Sequence, residues 1–304
     1  MSASALKDGH CEHFHRRKTG EVVVVRNEKI AADTWKIRLE AAEFAPLIVP
    51  GQFVMLRLPN RKDPLLGRPF AVYAVSVKAG LIDLIYLVVG RMTERLTEVR
   101  PGDSLLLTGP LGKGWEAMDD RNDRDPSDLY FEENVPSTDH LILIAGGIGQ
   151  TALFMLAQDF LHKPPIQPMR KVSFLYGVRS GDRLCCTDDF EKIGASVHIA
   201  TEDGSKGEKG YITDLLPRVF EESGIPADRT KVACCGPSPM LRAAALKAKD
   251  LDLRCWVSLE SSMVCGLGIC FGCVVDYLDD EGNWDYRRTC IDGPVFDASR
   301  LKWD

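Results

Sequence analysis

Short apolar runs separated by turn residues fill the first third of the chain after residue 20. They predict six strands, over residues 21–26, 34–39, 52–58, 69–77, 81–89 and 103–108. Pro50-Gly51 and Pro101-Gly102 stand between such runs, and these pairs favour turns because proline fixes φ while glycine leaves it free. Short strands connected in this way are typical of antiparallel barrels, so we predict a six-stranded antiparallel barrel.

The pattern changes after Asp139, where apolar runs alternate with segments long enough for helices. The runs predict strands over residues 140–145, 172–177, 197–201, 232–235 and 253–259. The clearest helix is predicted over residues 239–249, which are rich in Ala and Leu, with Ser238 as the N-cap. Strands that alternate with helices form parallel sheets with helical crossovers, so we predict a five-stranded parallel α/β domain.

Two segments lack a periodic pattern. Residues 116–139 hold nine acidic and two basic residues, which predicts an exposed insertion or linker, with a partner-binding loop as the alternative. The first 18 residues include four possible metal ligands, His10, Cys11, His13 and His15. We predict a disordered tail there, because a tail without a scaffold rarely fixes an ion.

These patterns together predict the domain organisation. It consists of a tail (1–18), a barrel (19–115), an acidic insertion (116–139), an α/β domain (140–258) and a C-terminal module (259–304).

Composition narrows the class of protein. A chain of 304 residues with 45% apolar residues has enough material for two buried cores. Its 38 basic and 44 acidic residues give a net charge of −6, which argues against a nucleic-acid partner. No apolar run approaches the roughly 18 residues that span a bilayer, and residues 1–20 have no signal-peptide core. We therefore predict a cytoplasmic protein.

Four of the ten cysteines are grouped near the C-terminus as Cys265-x4-Cys270-x2-Cys273-x16-Cys290. This is the spacing of plant-type [2Fe–2S] proteins, and iron binds soft, anionic thiolates strongly. Glycines between the first three cysteines let the backbone wrap closely around a cluster. A structural zinc site is the alternative, but such sites usually pair two Cys-x2-Cys motifs and this chain has one. We predict a [2Fe–2S] cluster held by these four cysteines.

Two turns in the α/β half are candidates for nucleotide binding. The apolar strand from residue 141 runs into Gly146, Gly147 and Gly149, and a following helix would offer its free N–H groups to a pyrophosphate. The second turn, Cys235-Gly236-Pro237, ends the fourth predicted strand, where an open sheet forms its ligand crevice. Ordinary strand-to-helix turns are the alternative for both motifs.

In the barrel half, the sequence Arg68-Pro69-Phe70-Ala71 follows a polar loop. Arginine is suited to binding phosphate through charge-assisted hydrogen bonds. A solvated arginine beside a packed phenylalanine is the alternative.

Taken together, these motifs resemble the ferredoxin-reductase superfamily, which combines a flavin-binding barrel carrying Arg-Pro-x-Ser with a nicotinamide domain carrying a glycine-rich loop and a Cys-Gly-Pro turn. The order of barrel, nucleotide domain and [2Fe–2S] segment is similar to that of the electron transfer subunits of dihydroorotate dehydrogenase B. Three further stretches match: residues 201–205, 258–260 and 292–296.

The resemblance implies FAD as cofactor and NAD(H) as substrate. The flavin contacts that it implies are Arg68, Pro69, Phe70, Ala71, Ile85, Tyr86, Leu87, Met92 and Thr93. The chain departs from the family pattern at Ala71 (usually Ser), Met92 (usually Gly) and Ala152 (usually Pro). Glu202 and Asp203 disfavour the extra phosphate of NADP by charge repulsion, so we predict a preference for NADH, although Arg179 would act in the opposite direction.

The resemblance also implies an oxidoreductase subunit of pyrimidine biosynthesis that contains no acid–base residue of its own. Its implied partner is an FMN-containing dihydroorotate dehydrogenase catalytic subunit, in a heterotetramer with two copies of each chain. The alternatives are a diaphorase subunit of a hydrogenase, a sulfite reductase or a ferredoxin–NADP oxidoreductase complex; the last usually has Asp where this chain has Cys265. A flavin and iron–sulfur redox sensor and a zinc-stabilised scaffold are the non-enzymatic alternatives.

Overall fold

The computed structural model describes residues 17–59, 63, 65–118, 138–162, 170–279 and 281–303. Nearly all of the predicted tail, with its histidines and Cys11, lies outside the described residues, as does residue range 119–137 of the predicted acidic insertion.

The first sheet is a closed barrel with the strand order β1-β2-β5-β4-β3-β6. Its strands are β1 (Lys18–Ala31), β2 (Thr34–Glu40), β3 (Phe53–Arg57), β4 (Arg68–Ser76), β5 (Leu81–Leu87) and β6 (Ser104–Leu111). All neighbouring strands are antiparallel. Ile37 and Leu39 of β2 are fully buried in the barrel core, because alternate side chains of a strand point to one face. The predicted six-stranded barrel is confirmed.

The second sheet has seven strands in the order β10-β9-β8-β7-β11-β12-β15. They are β7 (His140–Gly146), β8 (Lys171–Val178), β9 (Ser196–Thr201), β10 (Glu208–Lys209), β11 (Thr230–Cys235), β12 (Arg254–Ser258) and β15 (Val295–Asp297). The five predicted strands form its parallel centre. The prediction of five strands was nevertheless wrong by two, because β10 and β15 have two and three residues and show no period in the sequence.

Five α-helices occur in the described part of the chain. They are α1 (Arg91–Leu96), α2 (Phe154–His162), α3 (Thr187–Lys192), α4 (Leu216–Ser223) and α5 (Ser238–Asp250). The predicted N-cap was wrong by one residue: Pro237 caps α5 with extended backbone, and Ser238 is the first helical residue. None of the described helices has the length and apolar character needed to cross a bilayer.

The barrel and the nucleotide sheet share a packed interface. The rings of Tyr73 on β4 and Phe154 on α2 stack with centroids 4.7 Å apart. The Tyr73 hydroxyl donates to the Asp189 carboxylate at 2.8 Å, and Trp115 Nε1 donates to the Ala152 carbonyl at 2.7 Å. Aromatic packing and buried hydrogen bonds therefore fix the two sheets against each other.

The C-terminal segment forms a hairpin of β13 (Val274–Leu278) and β14 (Trp284–Arg288) and then returns to the nucleotide sheet. Its last strand, β15, pairs antiparallel with β12. Tyr277 of the hairpin packs on Phe296 of β15, with ring centroids 5.6 Å apart. One face of the hairpin is therefore held against the nucleotide domain.

Candidate cofactor sites

The four C-terminal cysteines form two close pairs of sulfur atoms. Cys265 Sγ lies 3.4 Å from Cys270 Sγ, and Cys273 Sγ lies 3.3 Å from Cys290 Sγ. The three-cysteine loop (residues 265–273) carries three of them, and the turn after β14 carries Cys290. The fold thus arranges the four predicted ligands as two sulfur pairs, across a sequence separation of 25 residues, and among the described residues no three potential ligands converge on a single metal position.

Backbone N–H groups of the loop point at the first sulfur. Leu267 N lies 3.3 Å from Cys265 Sγ. Burial raises the pKa of Cys265, but hydrogen bonds from the N–H groups of Leu267, Cys270 and Ile269 outweigh it and lower the pKa to about 6. Burial and the neighbouring Cys273, by contrast, raise the pKa of Cys290 to about 12. The loop therefore offers donors that stabilise negative charge on sulfur.

This sulfur arrangement fits a [2Fe–2S] cluster. Two thiolates on one tetrahedral metal ion, with bonds of about 2.3 Å, lie about 3.7 Å apart, close to the separations of 3.4 and 3.3 Å within each pair. Two such pairs suit two metal ions with two cysteine ligands each, as in a four-cysteine [2Fe–2S] site. A structural zinc ion would require all four sulfurs around one centre. The four cysteines would hold the cluster, which supplies one-electron transfer.

The three-cysteine loop packs against the outside of the barrel. Phe53, Met55 and Leu111 form one buried apolar group with Cys273 and Cys290. A Cβ on Gly266 would lie 2.8 Å from Met55 Cγ. Met55 is paired across the sheet with Pro69. Strand β3 therefore lies between the loop and the Arg68-Pro69 segment. The sequence contains no recognisable motif for the contact between the loop and β3.

The residues implied as flavin contacts begin at the start of β4. The Arg68 guanidinium is exposed, and its Nη1 donates to the carbonyls of Leu66 and Gly67 at 3.0 and 3.1 Å. Phe70 is buried in the barrel core, whereas Pro69 and Ala71 are half-buried. Arg68 is thus positioned by its own loop at the surface, with its remaining donors available to a phosphate.

The other implied flavin contacts are mostly buried. Ile85 lies in the apolar group between the barrel and the nucleotide sheet, and Leu87 is half-buried at the end of β5.

The Tyr86 hydroxyl donates to Asn27 Oδ1 at 3.0 Å, and Met92 lies in the barrel core. Thr93 Oγ1 accepts from Val89 N at 2.9 Å and donates to the Gly90 carbonyl at 2.9 Å. The side chains of Tyr86, Met92 and Thr93 therefore support the fold of this region.

The two glycine-containing turns of the nucleotide domain lie side by side. β7 and β11 are adjacent parallel strands, and β8 lies on the other side of β7, so their carboxyl ends form the point where an open sheet binds its ligand. A Cβ on Gly149 would lie 2.1 Å from the Cys235 carbonyl oxygen. The turns pack backbone to backbone, a contact that only glycine permits.

Gly147 differs from its neighbours. It has φ +54°, and a Cβ there would have open space around it. The helix expected after this loop begins as a 3-10 helix over Gly147–Ala152, and α2 follows from Phe154. The i−3 hydrogen bond from Leu153 N to the Gln150 carbonyl, 3.2 Å long, marks this tighter winding.

Two further features flank this crevice. Burial raises the pKa of Cys235 to about 12, although a hydrogen bond with Ser258 lowers it, so this thiol remains protonated at neutral pH. At the end of β9, the Asp203 carboxylate accepts hydrogen bonds from Ser205 N and Oγ at 2.9 and 2.6 Å. Asp203 thus shapes the turn, while the adjacent Glu202 side chain is exposed.

Exposed apolar side chains lie on the three-cysteine loop, beside it in the sequence and on the hairpin that follows it. We define the cluster-edge patch as the large exposed apolar residues of residues 264–288, which cover this loop, the residue before it and the hairpin after it: Val264, Ile269, Phe271, Val274, Trp284 and Tyr286. Ile269 and Phe271 are 75% and 62% exposed, and Cys270 between them is also exposed. Apolar patches of this kind mark interaction sites.

Comparison with known families divides the chain into three matched segments. The oxidoreductase FAD-binding domain matches residues 21–115, and the oxidoreductase NAD-binding domain matches residues 143–245. The iron–sulfur cluster binding domain of dihydroorotate dehydrogenase B matches residues 260–302.

Two relatives that match along most of the chain carry the same description. The dihydroorotate dehydrogenase B (NAD(+)) electron transfer subunit of Fusobacterium nucleatum is 31% identical over 285 residues, covering 94% of this chain and 99% of its own length. The subunit of the same description from Desulforamulus reducens is 33% identical over 278 residues, covering 90% and 95%.

Solved structures share the fold. The structure of an NADH-dependent reduced ferredoxin–NADP oxidoreductase, described in relation to flavin-based electron bifurcation, superposes with a TM-score of 0.73 at 26% identity, covering 93% of this chain and 90% of that chain. A ferredoxin reductase in carbazole 1,9a-dioxygenase superposes with a TM-score of 0.60 at 18% identity, covering 78% and 67%. The second likeness concerns the fold alone.

Proposed function

The chain belongs to the family of dihydroorotate dehydrogenase B electron transfer subunits, and from this premise we propose that it passes electrons between a dihydroorotate-oxidising partner and NAD in pyrimidine biosynthesis. It is an oxidoreductase subunit with FAD, NAD(H) and iron–sulfur domains. Within these domains we propose that Arg68 binds an FAD phosphate, that the Gly146 and Cys235 turns bind the nicotinamide nucleotide, and that four cysteines bind the cluster.

The chemistry explains why one chain combines these sites. Nicotinamide exchanges two electrons as hydride, a [2Fe–2S] cluster exchanges one, and a flavin does either. The protein has to orient the nicotinamide ring against the flavin and to hold the cluster near both the flavin and the partner. No acid–base side chain is assigned, because the proton removed from dihydroorotate leaves within the partner.

The observation that carries this proposal is the contact between the three-cysteine loop and β3. Met55 touches Gly266 on one side and is the cross-strand partner of Pro69 on the other. The three-cysteine loop thus packs on β3, and the proposed flavin-binding strand β4 is the next strand of the barrel. Neighbouring strands lie about 4.8 Å apart. This proximity supports electron exchange between the two sites.

The cluster-edge patch supports binding of a protein partner near the cysteines. Its aromatic residues Phe271, Trp284 and Tyr286 are exposed and of the type enriched in protein interfaces, and Cys270, next to Phe271 in the sequence, is exposed as well. We propose that this patch binds an FMN-containing catalytic subunit, in a cytoplasmic heterotetramer with two copies of each chain.

Affinity isolation of the tagged chain from a host that also produces an untagged candidate catalytic subunit tests this function. We expect one FAD, two irons and two labile sulfides per chain, one FMN per partner, and dihydroorotate-dependent reduction of NAD. A complex without FMN or dihydroorotate oxidation, but with NADH-dependent dye reduction, would indicate a diaphorase subunit of another complex instead.

The same preparation separates the non-enzymatic alternatives. A redox sensor would contain FAD and the cluster but reduce dyes negligibly with NADH. A scaffold would be colourless, with stoichiometric zinc and no labile sulfide.

A further inference from the structure

Arg288, the last residue of β14, contacts the three-cysteine loop at two points. Its Nη1 donates to the Gly268 carbonyl at 3.1 Å. Its guanidinium carbon also lies over the Phe271 ring, 5.2 Å from the ring centroid. Gly268 and Phe271 lie on either side of the ligand Cys270, so one side chain spans this part of the loop.

The first contact reaches a ligand sulfur through a single peptide group. The Gly268 carbonyl and the Ile269 N–H belong to the same peptide, and that N–H donates to Cys265. A charged donor on the carbonyl polarises the peptide and strengthens its N–H as a donor, because hydrogen bonds in a chain are cooperative. Arg288 therefore both orients and strengthens a hydrogen bond to Cys265.

The second contact lies over a residue in an unfavourable conformation. Phe271 has φ +54°, a region that residues with a Cβ seldom adopt. The residue is 62% exposed, so few protein contacts other than the guanidinium hold its side chain. Cation–π attraction to the ring thus helps to hold the loop in the conformation that presents Cys270.

Asp292 fixes the arginine from the far side of the fourth cysteine. Its carboxylate accepts from Arg288 N at 2.7 Å and lies 3.5 Å from Arg288 Nε. Cys290 lies between these two residues in the sequence. The turn that carries Cys290 and the loop that carries the other cysteines are therefore linked through one guanidinium.

We propose that Arg288 is a positioning residue for the iron–sulfur cluster, which holds the Gly268–Ile269 peptide toward Cys265 and places a positive charge beside the cluster. This inference rests on the proposed function, since it requires the cluster to be bound. One-electron reduction adds a negative charge to the cluster, and a nearby cation favours that state. Loss of the cation should make the cluster harder to reduce.

The test compares three variants of the full-length holoprotein. Arg288→Gln removes the charge, Arg288→Lys keeps the charge without the planar fork, and Arg287→Gln is the matched control. Arg287 is the neighbouring residue of β14, paired with Asp285 at 2.8 Å, and its guanidinium lies over Tyr277 rather than Phe271. The readouts are the cluster midpoint potential, followed by electron paramagnetic resonance, and the rate of iron removal by a chelator.

We expect Arg288→Gln to shift the reduction equilibrium about tenfold against reduction, which is 59 mV for a one-electron couple, and to lose iron severalfold faster. Arg288→Lys should keep the wild-type potential but lose iron faster. If Arg288→Gln purifies without iron, the rate of iron removal from Arg288→Lys, compared with that from Arg287→Gln, tests the proposal by itself. Variants of Arg288 that match Arg287→Gln in both readouts would overturn the proposal. A wild-type chain without iron and sulfide would instead contradict the proposed function itself.

Discussion

Gly266 of the three-cysteine loop lies so close to Met55 of β3 that a Cβ on Gly266 would be 2.8 Å from Met55 Cγ. Met55 Sδ and Leu111 Cδ1 would lie 3.2 and 3.3 Å from the same Cβ. Gly266 also has φ +68°. The positive φ and the close contact with Met55 therefore both require glycine at position 266. The contact also fixes the three-cysteine loop to the barrel.

Gly266→Ala is expected to separate cluster binding from flavin binding. The left-handed conformation alone costs about 1–2 kcal/mol for a residue with a Cβ, and the contact with Met55 adds to this. We expect a lower ratio of iron and labile sulfide to FAD in the purified variant, with FAD content unchanged.

Gly282→Ala is the matched control, because Gly282 has φ +84° but open space around the added Cβ. It should keep wild-type iron content. The Met55→Ala change in the Gly266→Ala background should restore part of the iron. Equal iron loss in the two glycine variants would mean that the contact with Met55 has no importance.

Arg68→Ala is expected to weaken FAD binding while the barrel stays folded. Hydrogen bonds to charged groups contribute about 1.5–3 kcal/mol, which corresponds to roughly 10- to 150-fold weaker binding. The measurement is FAD retained per chain after gel filtration, with the far-ultraviolet circular dichroism spectrum as the test of folding. Arg100→Ala, at an exposed position, serves as the control. Full FAD retention in Arg68→Ala would indicate a solvated surface arginine.

The sequence was sufficient to predict the centre of both sheets, because their strands are apolar runs bounded by turn residues or by helix-length segments. The two edge strands were missed, since β10 and β15 derive their order from pairing with β9 and β12 rather than from their own pattern. The 3-10 helix after Gly146 was missed for a related reason: glycine and threonine near a strand end are compatible with several helical windings.

The pairing of the four cysteine side chains agrees with the expectation from their spacing, which is set by local loop geometry. Met55 and Arg288 could not be predicted, because each contacts the three-cysteine loop from another element of the fold and neither lies in a recognisable motif. The only sequence signal for Arg288 is its position two residues before Cys290. That position does not distinguish Arg288 from the neighbouring Arg287. Long-range packing therefore determined the part of the site that sequence analysis missed.

Glu202 is expected to contribute to the preference for NADH over NADPH. Its exposed side chain follows β9, whereas Asp203 is engaged with Ser205. Glu202→Gln should raise kcat/KM for NADPH severalfold with little change for NADH, because a repulsive charge near the 2′-phosphate is removed. Arg179→Ala should have the opposite effect on NADPH. The measurement is dye reduction with each nucleotide, and comparable wild-type efficiency with both would refute the preference.

His140 is expected to make the stability of the nucleotide domain depend on pH. Its ring is fully buried and its Nε2 lies 2.9 Å from Ser173 Oγ. Burial, with a smaller contribution from Lys171, lowers its pKa from 6.5 to about 4. Between these values the unfolded chain binds more protons than the folded chain, so stability falls as the pH decreases through this range.

We expect the titration of His140 to lower the free energy of unfolding by about 2 kcal/mol at pH 5 relative to neutral pH. Urea unfolding at pH 7.5 and pH 5 measures it. His140→Gln should be less stable at pH 7.5 but should lose less stability between the two pH values than the wild type. Identical losses in the two proteins would show that His140 does not titrate in this way.

Cys270→Ala is expected to separate the two activities of the proposed complex. The change removes one of the four proposed ligand sulfurs at an exposed position and leaves the barrel and the nucleotide crevice intact. NADH-dependent dye reduction should therefore persist, whereas dihydroorotate-dependent reduction of NAD should collapse in the same sample.

Cys186→Ala, which changes a half-buried cysteine of the nucleotide domain, is the control and should keep both activities. Because cluster binding also stabilises folding, subunit association is measured by gel filtration alongside. A Cys270→Ala variant that lacks the cluster, binds its partner and retains full coupled activity would mean that the cluster is structural and that electrons reach the flavin by another route.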